Sequence, residues 1–180
     1  MRIISGRYAG RAIVSPPVGV SRPVTDKVRA AIFSTLASRA ESATVLDLYA
    51  GSGALGLEAL SRGAKQVVLV DQSLGVVKAI KQTVDSLEGA NQVEVIKARA
   101  EKVVNEHAEL ERRFDLIFFD PPYAMFDLQI VKKLENLLQY SGLVVVSCSS
   151  KTDLPQATGG LNLVQKRIYG DAQIGYFEKT

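Results

Sequence analysis

The residues best suited to chemistry lie in Phe119-Asp120-Pro121-Pro122-Tyr123. Asp120 and Pro121 each precede a proline, which drives both out of the helical region into extended geometry. The two prolines also lack N–H donors. What remains is a stiff turn offering a carboxylate and carbonyl oxygens, an acceptor set suited to holding an NH2 group. Tyr123 adds a flat face on which a planar base can stack. Such a corner fits methyl transfer to the exocyclic amine of a nucleobase, whose nitrogen lone pair is delocalised into the ring. Hydrogen bonds from the amine to Asp120 and to a main-chain carbonyl such as that of Pro121 would favour a tetrahedral nitrogen. The carboxylate would then stabilise the positive charge that builds on nitrogen as the methyl arrives. With an ordinary pKa of about 3.9, Asp120 is expected to be ionised at neutral pH. The competing reading is that Asp-Pro-Pro merely ends a buried strand.

A second group of residues points to a nucleotide cofactor. Asp47-Leu48-Tyr49-Ala50-Gly51-Ser52-Gly53-Ala54-Leu55-Gly56 reads as a strand end, a glycine turn and the start of a helix. Gly51 and Gly53 permit close backbone approach, and Gly56 lets the helix pack on the strand. Asp71 ends Val68-Leu69-Val70, 24 positions beyond Asp47. A carboxylate there can accept from both hydroxyls of a ribose. The two signals fit an adenosine cofactor, either a nicotinamide dinucleotide or S-adenosylmethionine. Asp47 favours the second, since a carboxylate ahead of the turn could accept from the amino group of a methionine moiety. A tight structural turn and an exposed strand-end Asp are the alternatives.

Positioning these residues requires a strand–helix alternation. Strands are predicted at Thr44–Leu48, Gln66–Asp71, Gln92–Lys97, Phe114–Phe119 and Leu143–Cys148. Helices are predicted at Ala54–Ser61, Leu74–Leu87, Ala100–His107 and Leu128–Gln139, with an earlier one following Thr25. Val67-Val68-Leu69-Val70, Leu116-Ile117-Phe118-Phe119 and Leu143-Val144-Val145-Val146 are continuous apolar runs, as in parallel strands covered on both faces. Leu161–Tyr169 and Gln173–Glu178 read as an antiparallel edge hairpin turning at Gly170-Asp171. The expected fold is α/β, a Rossmann-like doubly wound sheet of seven mostly parallel strands. Residues 25–180 form that domain. Residues 1–24 form a basic arm containing a small β-hairpin, Arg2–Gly6 with Arg11–Val14, and a Pro-rich connection.

Composition narrows the classes. Hydrophobic residues make up 47% and charged ones 23%, the balance of an ordinary globule rather than a disordered chain. The single cysteine, Cys148, excludes a disulfide framework or a cysteine zinc cluster, and the single histidine, His107, excludes chemistry built on several histidines. No metal is expected. Cys148 reads as a small apolar packer, His107 as a surface residue, and Lys132-Lys133 as a solvated face. No apolar run reaches membrane-spanning length and no secretory pattern opens the sequence, so a cytoplasmic location is expected. Within residues 1–29, Arg2, Arg7, Arg11, Arg22, Lys27 and Arg29 face only Asp26. That is either a footprint for a polyanion or a solvated arm.

Over nearly its whole length the chain resembles the bacterial 16S ribosomal RNA guanine-N2 methyltransferases of RsmD type, class I S-adenosylmethionine-dependent enzymes. The resemblance rests on Arg2-Ile3-Ile4-Ser5-Gly6, on Arg22–Arg29, on the block from Asp47 to Ala64 and on Asp120-Pro121-Pro122-Tyr123. It implies S-adenosylmethionine as donor. The implied acceptor is the exocyclic N2 of a guanine in 16S rRNA, guanine 966 of that molecule, within the small subunit or an assembly intermediate. Asp120 and Tyr123 match the catalytic motif, with Pro121 and Pro122 shaping it. Asp47, Gly51, Gly53 and Asp71 match cofactor positions. The adjoining Tyr49, Ala50 and Gln72, the main chain around Ala98 and Arg99, and Thr25 complete the expected cofactor contacts. Arg7, Arg11, Arg22, Lys27 and Arg29 are the expected RNA contacts, and a monomer is expected. Asp71 stands where such proteins often carry Glu. Ala98-Arg99-Ala100 stands where they often place Asp or Asn for the adenine amine. The alternatives are an adenine-N6 methyltransferase acting on DNA or RNA, and a non-catalytic ribosome-assembly factor of the same fold.

Overall fold

The computed structural model describes residues 1–16, 25–88 and 90–180. Five strands run parallel: β1 (Thr44–Leu48), β2 (Gln66–Asp71), β3 (Val93–Lys97), β4 (Phe114–Phe119) and β5 (Leu138–Ser149). β8 (Ala172–Lys179) returns antiparallel beside β5, followed outward by β7 (Leu161–Tyr169) and β6 (Ala157–Thr158). The sheet order is β3-β2-β1-β4-β5-β8-β7-β6, so the winding reverses between β1 and β4. The seven strands expected become eight. The extra one, β6, has two residues, too few to carry a periodic signal.

Helices cover both faces because strand side chains alternate. Val45, Val67, Leu69, Phe118 and Val145 pack with α1 (Asp26–Leu36), α2 (Ala54–Ser61) and α3 (Leu74–Asp85). Leu46, Leu48, Val68, Ile117, Phe119 and Val144 pack with α4 (Ala100–Glu109) and α5 (Leu128–Lys133). Each Leu or Phe so buried stabilises by about 1.5–3 kcal/mol. Thr25, Ser73 and Asp127 cap α1, α3 and α5 with side-chain oxygens that accept from Val28, Val76 and Gln129 N–H groups. Among the described residues, no helix is long and apolar enough to cross a membrane.

Two further expectations are corrected. The helix predicted to Gln139 stops at Lys133, tightens into a 3-10 turn over Leu134–Leu137 and becomes β5 from Leu138. Leu138 pairs with Phe114 at the start of β4, and this tertiary pairing overrides the local helical pattern. His107 is not on the surface: it is buried against the Phe114 ring, centroids 5.8 Å apart. Burial, aided by the nearby Arg112 guanidinium, holds its pKa below the ordinary value. Cys148 is buried in the layer beside α4 and α5, and Lys132 and Lys133 are exposed.

Residues 1–16 lie against the domain. Arg2 and Ala12 form an antiparallel bridge, and Ile3, Tyr8 and Ile13 join the core shared with α1–α3. The buried Glu58 of α2 accepts from the N–H groups of Ile4 (2.7 Å) and Ser5 (3.1 Å) and from Arg62 Nε (2.8 Å). Gly6 has φ +86°, and a Cβ there would stand 1.9 Å from the Ser61 carbonyl oxygen. Only glycine fits this crossing. The expected boundary after residue 24 falls outside the described residues.

Candidate active site at the carboxyl edge of the sheet

In doubly wound sheets, ligands bind beyond the strand carboxyl ends where the winding reverses. Here the turns after β1, β2, β3 and β4 line a cleft of about 920 Å3 at that place. Its wall includes Thr25, Tyr49, Gly51, Asp71, Gln72, Ala98, Arg99 and Asp120–Tyr123. These candidates, read from four separate segments and the start of α1, therefore meet in one space.

The glycine turn is held by its own backbone: Ala50 N–H donates to the Val70 carbonyl (2.8 Å) and Gly53 N–H to the Ala50 carbonyl (2.7 Å). Gly51 and Gly53 have φ +55° and +77°. Asp71 closes the turn from the neighbouring strand. Its Oδ2 accepts from Gly51 N–H (3.1 Å) and its Oδ1 from Ser73 N–H (2.8 Å). Each carboxylate oxygen has a further lone pair, so the fixed group can still accept from a pair of vicinal hydroxyls. Tyr49 also has positive φ, 62°. Its ring stands edge-on to Phe119 at 5.5 Å and its hydroxyl donates to Glu101 Oε1 at 3.3 Å. Burial and the adjacent Glu101 push its phenol up to about 12.

Asp120 follows β4 at the other side of the reversal. Burial pushes its pKa above the ordinary carboxylate range, opposed by a hydrogen bond from Ser147 on β5. The acid is thus less readily ionised than its type alone suggests. The Pro122 carbonyl is occupied, accepting from Met125 N–H at 2.7 Å. Tyr123 is 43% exposed at the mouth, beside Met125.

Several candidates lie elsewhere. Ala50 and Gly53 stand behind the cleft wall. Asp47 does too: its Oδ2 accepts from Gly56 N–H (2.9 Å) at the start of α2, and burial pushes its pKa up to about 8. A Cβ on Gly56 would meet Leu69 Cδ2 at 2.3 Å, so this helix packs close on β2. Arg29 is corrected as an RNA contact: it is fully buried, donating to the Arg2 carbonyl and Asp26 and paired with Glu58 at 3.8 Å. No phosphate can reach it. Lys27 is exposed in the first turn of α1. Arg7 and Arg11 are exposed at the opposite end of the domain, where the Arg7 N–H donates to the Ser61 carbonyl and the Arg11 guanidinium to that of Ser86. Arg22 falls outside the described residues.

Sequence reasoning missed Val28, Glu101, Ser147 and the β7–β8 turn Tyr169–Ala172, all on the cleft wall. Ser147 had a signal, being the polar residue within the apolar run Leu143–Cys148. The others depend on how distant elements dock. Among the described residues, no three His, Cys, Asp or Glu side chains gather as a metal site.

Comparison with known proteins matches the chain over nearly its whole length. A family model described as "Conserved hypothetical protein 95" matches residues 1–178. The Bacillus subtilis protein YlbH, provisionally named an rRNA methyltransferase, is 33% identical over 99% of each chain. Ribosomal RNA small subunit methyltransferase D of Escherichia coli K12 is 31% identical over 98% of this chain and 87% of its own. Among solved structures, Escherichia coli yhhF, provisionally named a methyltransferase, superimposes with a TM-score of 0.87. It is 28% identical, over 99% of this chain and 97% of that one.

Proposed function

The chain belongs to the ribosomal RNA small subunit methyltransferase D family, and we propose that it methylates the exocyclic N2 of a guanine in 16S rRNA, using S-adenosylmethionine. The observation that carries this reading is that Asp120 and the Gly51–Asp71 turn share one cleft at the sheet's winding reversal.

The residues present suit the donor. Asp71 takes the ribose hydroxyls, the Gly51 turn admits the backbone closely, and main-chain groups at Ala98 and Arg99 border the adenine. When bound, S-adenosylmethionine would supply a methyl carbon on sulfonium: the nitrogen lone pair would form the N–C bond, the S–C electron pair would stay on sulfur, and the methylated nitrogen would lose one proton to water. Asp120 holds the amine by accepting from it and offsets the charge developing there, in a site where burial makes that electrostatic effect strong. Tyr123 stacks on the base. Turning a base out of its stack is least costly in loop or single-stranded RNA. The guanine at position 966 of 16S rRNA, presented by a small-subunit particle, is the substrate we propose, and the enzyme acts as a cytoplasmic monomer.

The test is methyl transfer to small-subunit particles and to free rRNA, with mass analysis and mapping of the product nucleoside. N2-methylguanosine at that position is expected. Asp120→Ala is expected to lose at least a hundredfold in rate while still binding S-adenosylmethionine. N6-methyladenosine would reassign the substrate, and undiminished transfer by Asp120→Ala would overturn the mechanism.

A further inference from the structure

We infer that the Ser147 hydroxyl is a positioning group for the reaction, holding the Asp120 carboxylate in the orientation that presents an oxygen to the target amine. This rests on the role given to Asp120 above. β4 and β5 run parallel in unbroken register from Leu116 with Leu143 to Phe119 with Val146, so the next residues along, Asp120 and Ser147, stand side by side. Val146 and Cys148 point into the apolar layer beside α4 and α5, and the strand's alternation turns Ser147 the other way. There it is 6% exposed and lines the cleft beside Asp120, close enough for its hydroxyl to favour the ionised carboxylate.

The two residues that follow Asp120 cannot supply that donor. A carboxylate at a strand end is commonly fixed by the N–H groups that follow it, as Ser73 N–H fixes Asp71. After Asp120 come two prolines, which have none. The terminal torsion of an aspartate is broad and two-fold, so an untethered carboxylate samples many orientations in a cleft that needs one. Ser147 has one proton to give, and giving it to one carboxylate oxygen leaves the other for the amine. The same bond favours the ionised form, opposing the burial that raises the Asp120 pKa.

Methyl transfer by the full chain, measured against pH with rRNA and S-adenosylmethionine, tests this. Ser147→Ala is expected to lower kcat at neutral pH by about ten- to a hundredfold, the worth of a hydrogen bond to a charged group. Its acid limb should move to higher pH, with much of the loss recovered on the alkaline side, while the KM for S-adenosylmethionine stays within about twofold. Ser147→Thr, which keeps the hydroxyl, should restore both rate and profile. Ser147→Cys fills the same space with a weak donor and should fall between alanine and wild type. A cysteine or alanine variant whose pH profile coincides with wild type would overturn the inference, as would a threonine variant as impaired as alanine. An active Asp120→Ala removes the role given to Asp120 above. An inactive Asp120→Ala beside an unmoved Ser147→Ala profile removes only this inference.

Discussion

Asp47 lies beneath the glycine turn with its carboxyl sealed from water, and that placement makes folding stability depend on pH. Burial lifts its pKa to about 8, against about 3.9 for an unperturbed carboxyl. Between those values the folded state keeps a proton that the unfolded chain releases. Stability therefore falls as pH rises from about 4 to about 8, by several kcal/mol for a shift of this size. Asp47→Asn keeps an acceptor for Gly56 N–H and cannot ionise. Denaturant titrations across that range are expected to show a steep decline for wild type and a flatter line for the variant. Parallel slopes would refute the assignment. At this scale the sequence was informative where a carboxylate ends an apolar strand. Asp71 and Asp120 were identified that way, and both line the cleft. It misled for Arg29: a charged residue among other arginines looks solvent-facing, and only the docking of α1 on α2 shows that Glu58 and the Arg2 carbonyl enclose it.

Helix α2 carries more than its own packing. All eight of its residues are buried, and Glu58 holds two backbone amides of a segment more than fifty positions away. Removing this carboxylate strands those amides, takes the acid from Arg62 and leaves Arg29 with the exposed Asp26 alone. Glu58→Ala is expected to destabilise by about 3–5 kcal/mol, the range for breaking a buried ion pair. Gly6→Ala should weaken the same junction, because its Cβ would overlap the Ser61 carbonyl. Thermal unfolding of both variants checks this, and a midpoint within a degree of wild type for either would be contrary. The parallel strands were legible because continuous apolar runs admit few other readings. The end of α5 was not: Leu134, Leu137 and Leu138 keep a helical spacing of buried residues, yet pairing with β4 decides that Leu138 is extended.

Over the whole molecule, the described, exposed basic residues expected to meet RNA divide between two ends. Thr25 lines the cleft and Lys27 stands two residues beyond it on α1. Arg7 shares a hollow of about 340 Å3 with Ser42, Gly63, Lys65 and Gln92, which precede the first three strands. At roughly 3.3 Å per residue, the length of a strand separates the two ends. The clustering of arginines in sequence had suggested one binding surface, but the bridged segment folds back on itself and carries Arg7 and Arg11 away. Lys27→Ala is expected to weaken RNA binding and reduce its logarithmic salt slope by about 0.7, one single-strand phosphate contact. Arg7→Ala and Arg11→Ala should leave the slope unchanged. Binding isotherms at several salt concentrations would measure both, and a slope change at Arg7 would place RNA on the far end.

Arg29 gives the two ends a mechanical connection. From the same helix that sets Thr25 and Val28 against the cleft, it grips the Arg2 carbonyl and faces Glu58. A ligand that steadies α1 therefore also steadies the clasp on Ile4 and Ser5. Deuterium uptake at those two amides should slow when the donor is added, although neither lies on the cleft wall.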